Sequence, residues 1–286
     1  MRKDTGIGME EKITDISEVN PSEKFINGFK SYKGLGISGS TLKIIAMVLM
    51  LADHIGAFIV ERFMINAGLF NCHTVDERAL WIKANASLYY GYEFLRGIGR
   101  LPFPIFCFLL VEGYKHTRSK VKYALRLALF AAISEIPFNL CYSGTVSERN
   151  YQNVFFTLFF GFLTIWAMDT VFRKMEKGKL RYILCSLIAA AGAVIAYFCH
   201  VDYHLSGVIT IVIIFLMCSV NNVTGALFGC MSLTVFSMNE VYAFLMIPLV
   251  SRYNGKRGLK LKWIFYIFYP AHLLILYLIA LRIGLV

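Results

Sequence analysis

The chain has 286 residues, of which 57% are apolar or aromatic and only 16% are charged. The apolar fraction lies above the roughly 45–50% of ordinary globular proteins, and together with a mean hydropathy of +0.60 it excludes a soluble enzyme. The net charge of +11 is concentrated in short loops between apolar blocks, which indicates a membrane protein rather than a nucleic-acid-binding protein.

Residues 1–40 form a polar segment that carries six acidic and six basic side chains. A segment with so few apolar residues cannot bury a core of its own. We therefore predict a partly disordered cytoplasmic tail over residues 1–40 and a transmembrane domain over residues 41–286.

Apolar blocks follow this tail, many of them close to the length of about 20 residues that crosses a hydrocarbon core as a helix. They predict an all-α, polytopic transmembrane bundle of about nine membrane segments. The seventh and eighth segments are short and are separated by Asn239 and Glu240. We therefore expect a short helical hairpin or a re-entrant pair there. The segments lie at about 42–60, 95–113, 121–142, 153–172, 181–199, 205–221, 223–238, 240–251 and 262–285.

Three short loops contain about half of the 29 Lys and Arg residues of the chain. They follow the second, fourth and eighth segments, so a cytoplasmic N-terminus places all three in the cytoplasm. This arrangement obeys the positive-inside rule and predicts a multi-pass protein of the cell (plasma) membrane. The basic residues are Lys115, Arg118, Lys120, Lys122, Arg173, Lys174, Lys177, Lys179, Arg181, Arg252, Lys256, Arg257, Lys260 and Lys262.

Ionisable side chains inside these segments are candidates for function, because a charge at the centre of a membrane helix costs roughly 2.5–3.5 kcal/mol. At 1.5 Å per residue, His54 and Glu135 lie about 20 Å and His272 about 15 Å from the cytoplasmic ends of their helices. Arg100 enters from the other side, beside a helix break expected at Pro102. We expect His54, Glu135 and Arg100 to meet at one level of the membrane.

A neutral histidine in such a cavity suits a general base near pH 7, and a neighbouring carboxylate can fix its tautomer. Asp53 precedes His54 in the sequence, but neighbouring residues on a helix point about 100° apart, so Glu135 is the better candidate partner. Alternatively, these groups are ion pairs that hold the helices in register.

A second polar set lies at the predicted cytoplasmic mouth. A different stretch, residues 199–204, places His200, Asp202 and His204 after Cys199, a spacing that could suit zinc. Polar residues are equally expected in an external loop, so no metal site is assigned. The mouth set comprises Glu112, Lys115, His116, Arg118, Arg126 and Asp169.

Several segments stand out together along the chain. They are Asp53-His54-Ile55-Gly56, residues 96–106 (RGIGRLPFPIF), 111–118 (VEGYKHTR), 123–127 (YALRL) and 152–158 (QNVFFTL), Asp202-Tyr203 with Gly207, and residues 262–273 (KWIFYIFYPAHL). In this order they resemble the TraX family, whose named activity is N-terminal acetylation of a conjugative pilin. The resemblance covers about residues 40–285. One departure is His204, which stands where a small residue is usual.

The TraX family is in turn similar to the wider transmembrane acyltransferase superfamily, in which a first-helix histidine is the proposed catalytic residue, and His54 occupies the matching position. The resemblance implies acetyl-CoA or another acyl-CoA as donor, and an amine or hydroxyl of a peptide, pilin-like or glycan acceptor. The resemblance implies His54 as the catalytic residue, and the depth argument adds Asp53, Glu135 and Arg100 to the predicted catalytic set. The charges at the cytoplasmic mouth predict a donor site formed by Arg118, Arg126, His116 and Lys115. We expect Asn153, Asp202, Tyr203 and His272 to bind the acceptor or to support the structure.

A proton-coupled carrier or channel is the alternative, because it would use the same intramembrane polar residues as a proton relay. An internal repeat or paired discontinuous helices would favour the carrier. Neither pattern is clear in the sequence.

Overall fold

The computed structural model describes residues 36–260 and 262–285. Within these ranges the chain is helical, and β-pairing is limited to two isolated bridges, Ile37 with Tyr253 and Gln152 with Val201. The predicted all-α class is therefore confirmed. The predicted tail lies outside the described residues, except for its last five.

The helices are numbered here in chain order. A π-helical turn, Gly56–Val60, joins the first two, and a 3-10 helix, Met238–Met246, precedes the last short one. The α-helices are α1 Gly39–Ile55, α2 Glu61–Asn66, α3 Val75–Ala84, α4 Ala86–Ile98, α5 Pro102–His116, α6 Lys120–Ser143, α7 Val154–Lys174, α8 Lys179–Phe198, α9 His204–Met217, α10 Asn222–Phe236, α11 Ile247–Ser251 and α12 Lys262–Arg282.

Among the described residues, six helical stretches are long and apolar enough to cross a membrane. Three shorter apolar helices lie where the sequence predicts the remaining segments. The structure thus supports a multi-pass bundle. The six stretches are Gly39–Asn66, Ala86–His116, Lys120–Ser143, Val154–Lys174, Lys179–Phe198 and Trp263–Arg282; the shorter ones are His204–Met217, Asn222–Phe236 and Met238–Ser251.

The bundle has two distinct ends. At the basic end, which carries the loops at 117–119, 175–178 and 252–260, Gly39 N donates to Lys256 O at 2.8 Å, so the start of α1 is fixed against the loop that precedes α12. At the opposite end, the two terminal nitrogens of Arg62 donate to Leu285 O at 3.0 Å and to Cys141 O at 3.1 Å. These bonds connect the end of the first helical stretch to α6 and to the C-terminal end of α12.

The second predicted segment is broken, as expected. Helix α4 ends at Ile98 and α5 begins at Pro102, where a missing N–H costs nothing because the first turn has no partner for it. The sequence reading missed α3, whose mean hydropathy is too low for a span. Its start nevertheless has a capping box, in which Thr74 and Glu77 satisfy each other's backbone N–H groups.

The core lies where α5, α7 and α9 meet. Phe108, Phe162 and Ile211 are completely buried there. Helices α7 and α9 approach closely at Gly161, because glycine has no Cβ that would collide with Ile211. This packing fixes the ends of three helices that carry the polar residues described next.

Candidate functional site

The described residues form two cavities that open towards opposite ends of the bundle. The basic-end cavity has a volume of about 770 Å³ and the opposite-end cavity about 750 Å³. Polar residues of the basic-end cavity include Lys43, Glu112, His116, Arg118, Arg126, Arg257 and Tyr269. Polar residues of the opposite-end cavity include Asp53, His54, Arg96, Arg100, Asp202, Tyr203 and Glu240.

A pair of histidines from α1 and α12 lies beside the opposite-end cavity. His54 Nδ1 is 2.6 Å from His272 Nε2, and the two rings are parallel within 1°. His272 Nδ1 is 2.8 Å from Phe268 O, one helical turn earlier. His54 lines the cavity, whereas His272 is only 4% exposed and lines neither cavity. The first helix therefore presents one imidazole to the cavity and a second imidazole supports it from behind.

The histidine pair also adjoins the basic-end cavity. Tyr269 lines that cavity, and its ring centroid is 6.2 Å from that of His54 and 5.6 Å from that of His272. Met50, one turn before His54, lines the basic-end cavity as well. The pair thus stands at the boundary between the two cavities.

The expected contact between Glu135 and His54 is wrong. Glu135 accepts from Asn153 Nδ2 at 2.5 Å and lines neither cavity. Asn153 also donates to Ala131 O at 2.9 Å, caps α7 through Phe155 N, and is fully buried. Counting residues along the helix gave the depth of Glu135 but not the direction in which α6 is rotated. Glu135 and Asn153 join α6 to α7.

Two ion pairs line the opposite-end cavity. Arg96 Nη1 lies 2.5 Å from Asp53 Oδ1, and Arg100 Nη1 lies 3.1 Å from Glu240 Oε1. The turn between α4 and α5 sits directly on α1 at Gly99, where any Cβ would overlap the Asp53 side chain. Arg100 therefore shares the cavity with His54, as predicted, but its carboxylate partner is Glu240.

The turn between α8 and α9 supplies Asp202 and Tyr203 to the same cavity. Three non-glycine residues, His200, Tyr203 and His204, have positive φ values of 50°, 61° and 42°. Such conformations cost of order 1–3 kcal/mol each and persist where surrounding contacts impose them. The Tyr203 ring stacks on that of Phe103, with centroids 3.6 Å apart.

Asp202 itself is anchored through one carboxylate oxygen. Its Oδ1 accepts from the Tyr151 hydroxyl at 2.7 Å and from Tyr203 N at 2.9 Å. Burial raises the pKa of the Asp202 carboxyl, against the opposing effect of the Tyr151 hydrogen bond. Across residues 36–260 and 262–285, no three His, Cys, Asp or Glu side chains come together as metal ligands. The arrangement suits a hydrogen-bonding group better than a zinc ligand.

The predicted mouth set separates into two parts. Glu112, His116, Arg118 and Arg126 line the basic-end cavity, and the buried Arg126 Nε has no hydrogen-bond partner within residues 36–260 and 262–285. Lys115 does not line it but lies 3.3 Å from Glu112. Asp169 forms a separate cluster with Tyr114, Lys120 and Arg173, at 2.6, 2.9 and 3.0 Å. That cluster joins α5, α6 and α7 rather than facing the cavity.

Sequence reasoning missed several residues of these cavities, among them Lys43, Arg257 and Tyr269. Lys43 and Arg257 add positive charge to the basic-end cavity, and Tyr269 separates it from His54. Lys43 follows the expected start of the first span and Arg257 lies in a recognised basic loop, so both were visible as charges. Their convergence depends on the contact between the start of α1 and the loop that precedes α12, which no local pattern indicates.

Comparison with known proteins adds the family. A family model described as TraX protein matches residues 38–280, which include all the residues that line the two cavities. A relative from Dichelobacter nodosus, named "Probable fimbrial assembly protein FimC, serogroup H1", is 29% identical over 224 residues, covering 71% of this chain and 88% of the relative. No solved structure shows a significant match. The chain therefore belongs to the TraX family.

Proposed function

We propose that this protein is an integral membrane acyltransferase. It moves an acetyl or other short acyl group from cytoplasmic acyl-CoA to an amine or hydroxyl on a membrane or surface acceptor. The observation that carries the proposal is the position of His54, which lines the opposite-end cavity and adjoins the basic-end cavity through Tyr269. A donor and an acceptor entering from opposite sides would meet at this imidazole.

The proposed topology has nine segments, a cytoplasmic N-terminus and an external C-terminus in the cell membrane. Six long and three shorter apolar helices supply the segments, and the basic loops all lie at one end of the bundle. Because basic loops are retained in the cytoplasm, that end faces the acyl-CoA pool.

The basic-end cavity suits the donor. Arg118, Arg126, Lys43 and Arg257 offer positive charge to the phosphates of CoA, and guanidinium groups bind phosphate oxygens in pairs of hydrogen bonds. His116 lies among them, and Lys115 holds Glu112 in an ion pair. The deeper wall is apolar and aromatic, which suits the pantetheine arm. Residues of this wall include Leu109, Phe155, Leu158 and Tyr266.

The proposed reaction is direct acyl transfer. The acceptor nitrogen or oxygen attacks the thioester carbonyl, and His54 Nε2 takes the acceptor proton as the new bond forms. The carbon–sulfur bond then breaks, and the leaving thiolate receives the proton from His54. Arg100 uses one terminal nitrogen for Glu240, so its other N–H groups remain to stabilise the oxyanion. Asp53 holds Arg96 in an ion pair that lines the same cavity as His54 and Arg100.

The opposite-end cavity suits the acceptor. Asp202 Oδ1 is anchored by Tyr151, and its second oxygen can accept a hydrogen bond from the attacking group. The name of the Dichelobacter nodosus relative refers to fimbrial assembly, so a pilin-like peptide is our first candidate acceptor and a glycan the next.

A proton-coupled carrier is the second candidate. Two cavities on opposite ends and interrupted helices at Gly99–Leu101 and Met238–Met246 are features that carriers also have. The two functions differ in what they require. A carrier moves protons across a sealed membrane without acyl-CoA, and a transferase does not.

One experiment on the purified protein in proteoliposomes separates them. Isotope-labelled acetyl-CoA is supplied at the basic side together with peptide or aminoglycan acceptors, while a trapped dye reports pH. We expect mass spectrometry to detect the labelled acetyl group on an acceptor. Proton flux without donor, and no labelled product with any acceptor, would refute the transferase.

A further inference from the structure

The His54 ring is in direct contact with His272, the second imidazole of the pair. We infer that His272 is a positioning residue that holds His54 in the tautomer with a bare Nε2 and shares the positive charge formed during turnover. The inference rests on the proposed function, because it assigns a second residue to the same proton transfer.

A backbone carbonyl determines the tautomer of His272. The Phe268 oxygen can only accept, so the proton between it and His272, 2.8 Å away, belongs to His272 Nδ1. In a neutral imidazole the other nitrogen, His272 Nε2, is then an acceptor. The proton in the 2.6 Å contact therefore belongs to His54 Nδ1. One carbonyl thus fixes the tautomers of both rings.

This tautomer leaves His54 Nε2 unprotonated. With Nδ1 protonated in a neutral ring, Nε2 carries the free lone pair. It has no hydrogen-bond partner among the described residues and is not fully buried, and His54 lines the opposite-end cavity. Without the acceptor at His272, the neutral ring could place its proton on Nε2 instead. A base protonated at that nitrogen cannot take the acceptor proton.

The position of His272 excludes a direct role in binding. It is 4% exposed and lines neither cavity, so it reaches the substrates only through His54. Its ring is held by Phe268, at a centroid distance of 4.7 Å and 15° between planes, and by Tyr269. These contacts keep its Nε2 directed at His54.

A second imidazole also fits this environment better than a carboxylate. The usual orienting group of a catalytic histidine is an anion, but a permanent charge in so buried a site is costly. A neutral imidazole adds no net charge to the site, and His272 can take the Nδ1 proton when His54 gains one at Nε2. The pair then carries one positive charge over two rings. The neighbouring charges, Asp53 and Arg96, neutralise each other.

Histidine-selective ¹⁵N NMR tests the tautomer without turnover. Signals are assigned with the His54→Asn and His272→Leu variants, and the exposed His73→Leu serves as the matched control. We expect His54 in the wild type to be protonated at Nδ1 and bare at Nε2, and this preference to be lost in His272→Leu. A His54 protonated at Nε2 in the resting wild type would overturn the inference.

Kinetics of two variants test the positioning role. Gln at 272 can offer an amide oxygen near the place of Nε2, whereas Leu cannot. We expect His272→Leu to lower kcat by at least about tenfold with unchanged CoA affinity, and His272→Gln to recover the His54 tautomer and part of kcat. Equal losses in both variants with an unchanged tautomer would make His272 merely structural. A wild type that shows the expected tautomer but transfers no acyl group would refute the proposed function alone.

Discussion

Removal of Arg126 is the most informative perturbation of the proposed donor site. This guanidinium lies 5.5 Å from the centre of the Tyr123 ring, and its buried Nε has no hydrogen-bond partner among the residues that the structure describes. A polyanionic ligand would supply the missing acceptor. A hydrogen bond to a charged group contributes about 1.5–3 kcal/mol, and each 1.4 kcal/mol is a factor of ten, so Arg126→Ala should weaken CoA binding roughly 10- to 100-fold.

Arg118 provides a graded comparison. It is exposed at the mouth of the cavity, where water and salt screen its charge, so Arg118→Ala should weaken CoA binding only a few-fold. Its effect should shrink as ionic strength rises, while that of Arg126→Ala should persist.

Calorimetry on the detergent-solubilised protein checks both values. Lys122→Ala is the matched control, because Lys122 lies one turn before Arg126 on α6 but is exposed and does not line the cavity. Pantetheine, which lacks the phosphates, should bind wild type and Arg126→Ala equally. Unchanged CoA affinity in a folded Arg118→Ala, Arg126→Ala double variant would place the donor elsewhere and refute the reasoning.

Three further predictions concern topology, stability and the acceptor. Single cysteines introduced in the basic loops should not react with a membrane-impermeant thiol reagent added to intact cells. Labelling of any of them from outside would contradict the predicted topology. Asp53→Leu alone leaves the Arg96 charge without its carboxylate and should lower the free energy of unfolding by about 3–5 kcal/mol, whereas the Asp53→Leu, Arg96→Leu double variant should lower it less. Denaturant titration of the wild type and both variants measures the difference. Asp202→Asn should raise KM for the acceptor and leave CoA affinity unchanged, whereas Tyr151→Phe should have a smaller effect in the same direction; steady-state kinetics with either substrate varied tests this. The labelling positions are Lys120, Lys177 and Arg257.

The helical architecture was predictable because its signals are local. Apolar block length indicates a helix across a bilayer, and Pro102 marks the helix break wherever the neighbouring helices lie. The same local reasoning placed His54 and Arg100 at similar depth, and both line one cavity. It missed α3, since a short helix of low mean hydropathy has no membrane signature, although Thr74 and Glu77 had the spacing of a capping box.

The partners of the polar residues were not predictable, because they depend on helix rotation and on which helices are neighbours. Counting along the helix predicts the depth of His54 for Glu135, yet α6 directs Glu135 to Asn153. His272 was taken as an acceptor-binding or structural residue, and only the packing of α12 against α1 reveals its contact with His54. Sequence spacing fixes height along a helix, whereas tertiary packing fixes direction around it.

Acyl transfer by purified His54→Asn protein tests the central claim most directly. Asparagine keeps some hydrogen-bonding capacity but cannot accept a proton near neutral pH, so folding and CoA affinity should match the wild type. Loss of a general base commonly lowers a rate by about 10²–10⁴, and we predict a loss of labelled product on that scale. His73→Asn, on the exposed surface, should transfer at the wild-type rate. Transfer by His54→Asn at a rate close to that of the wild type would contradict the account.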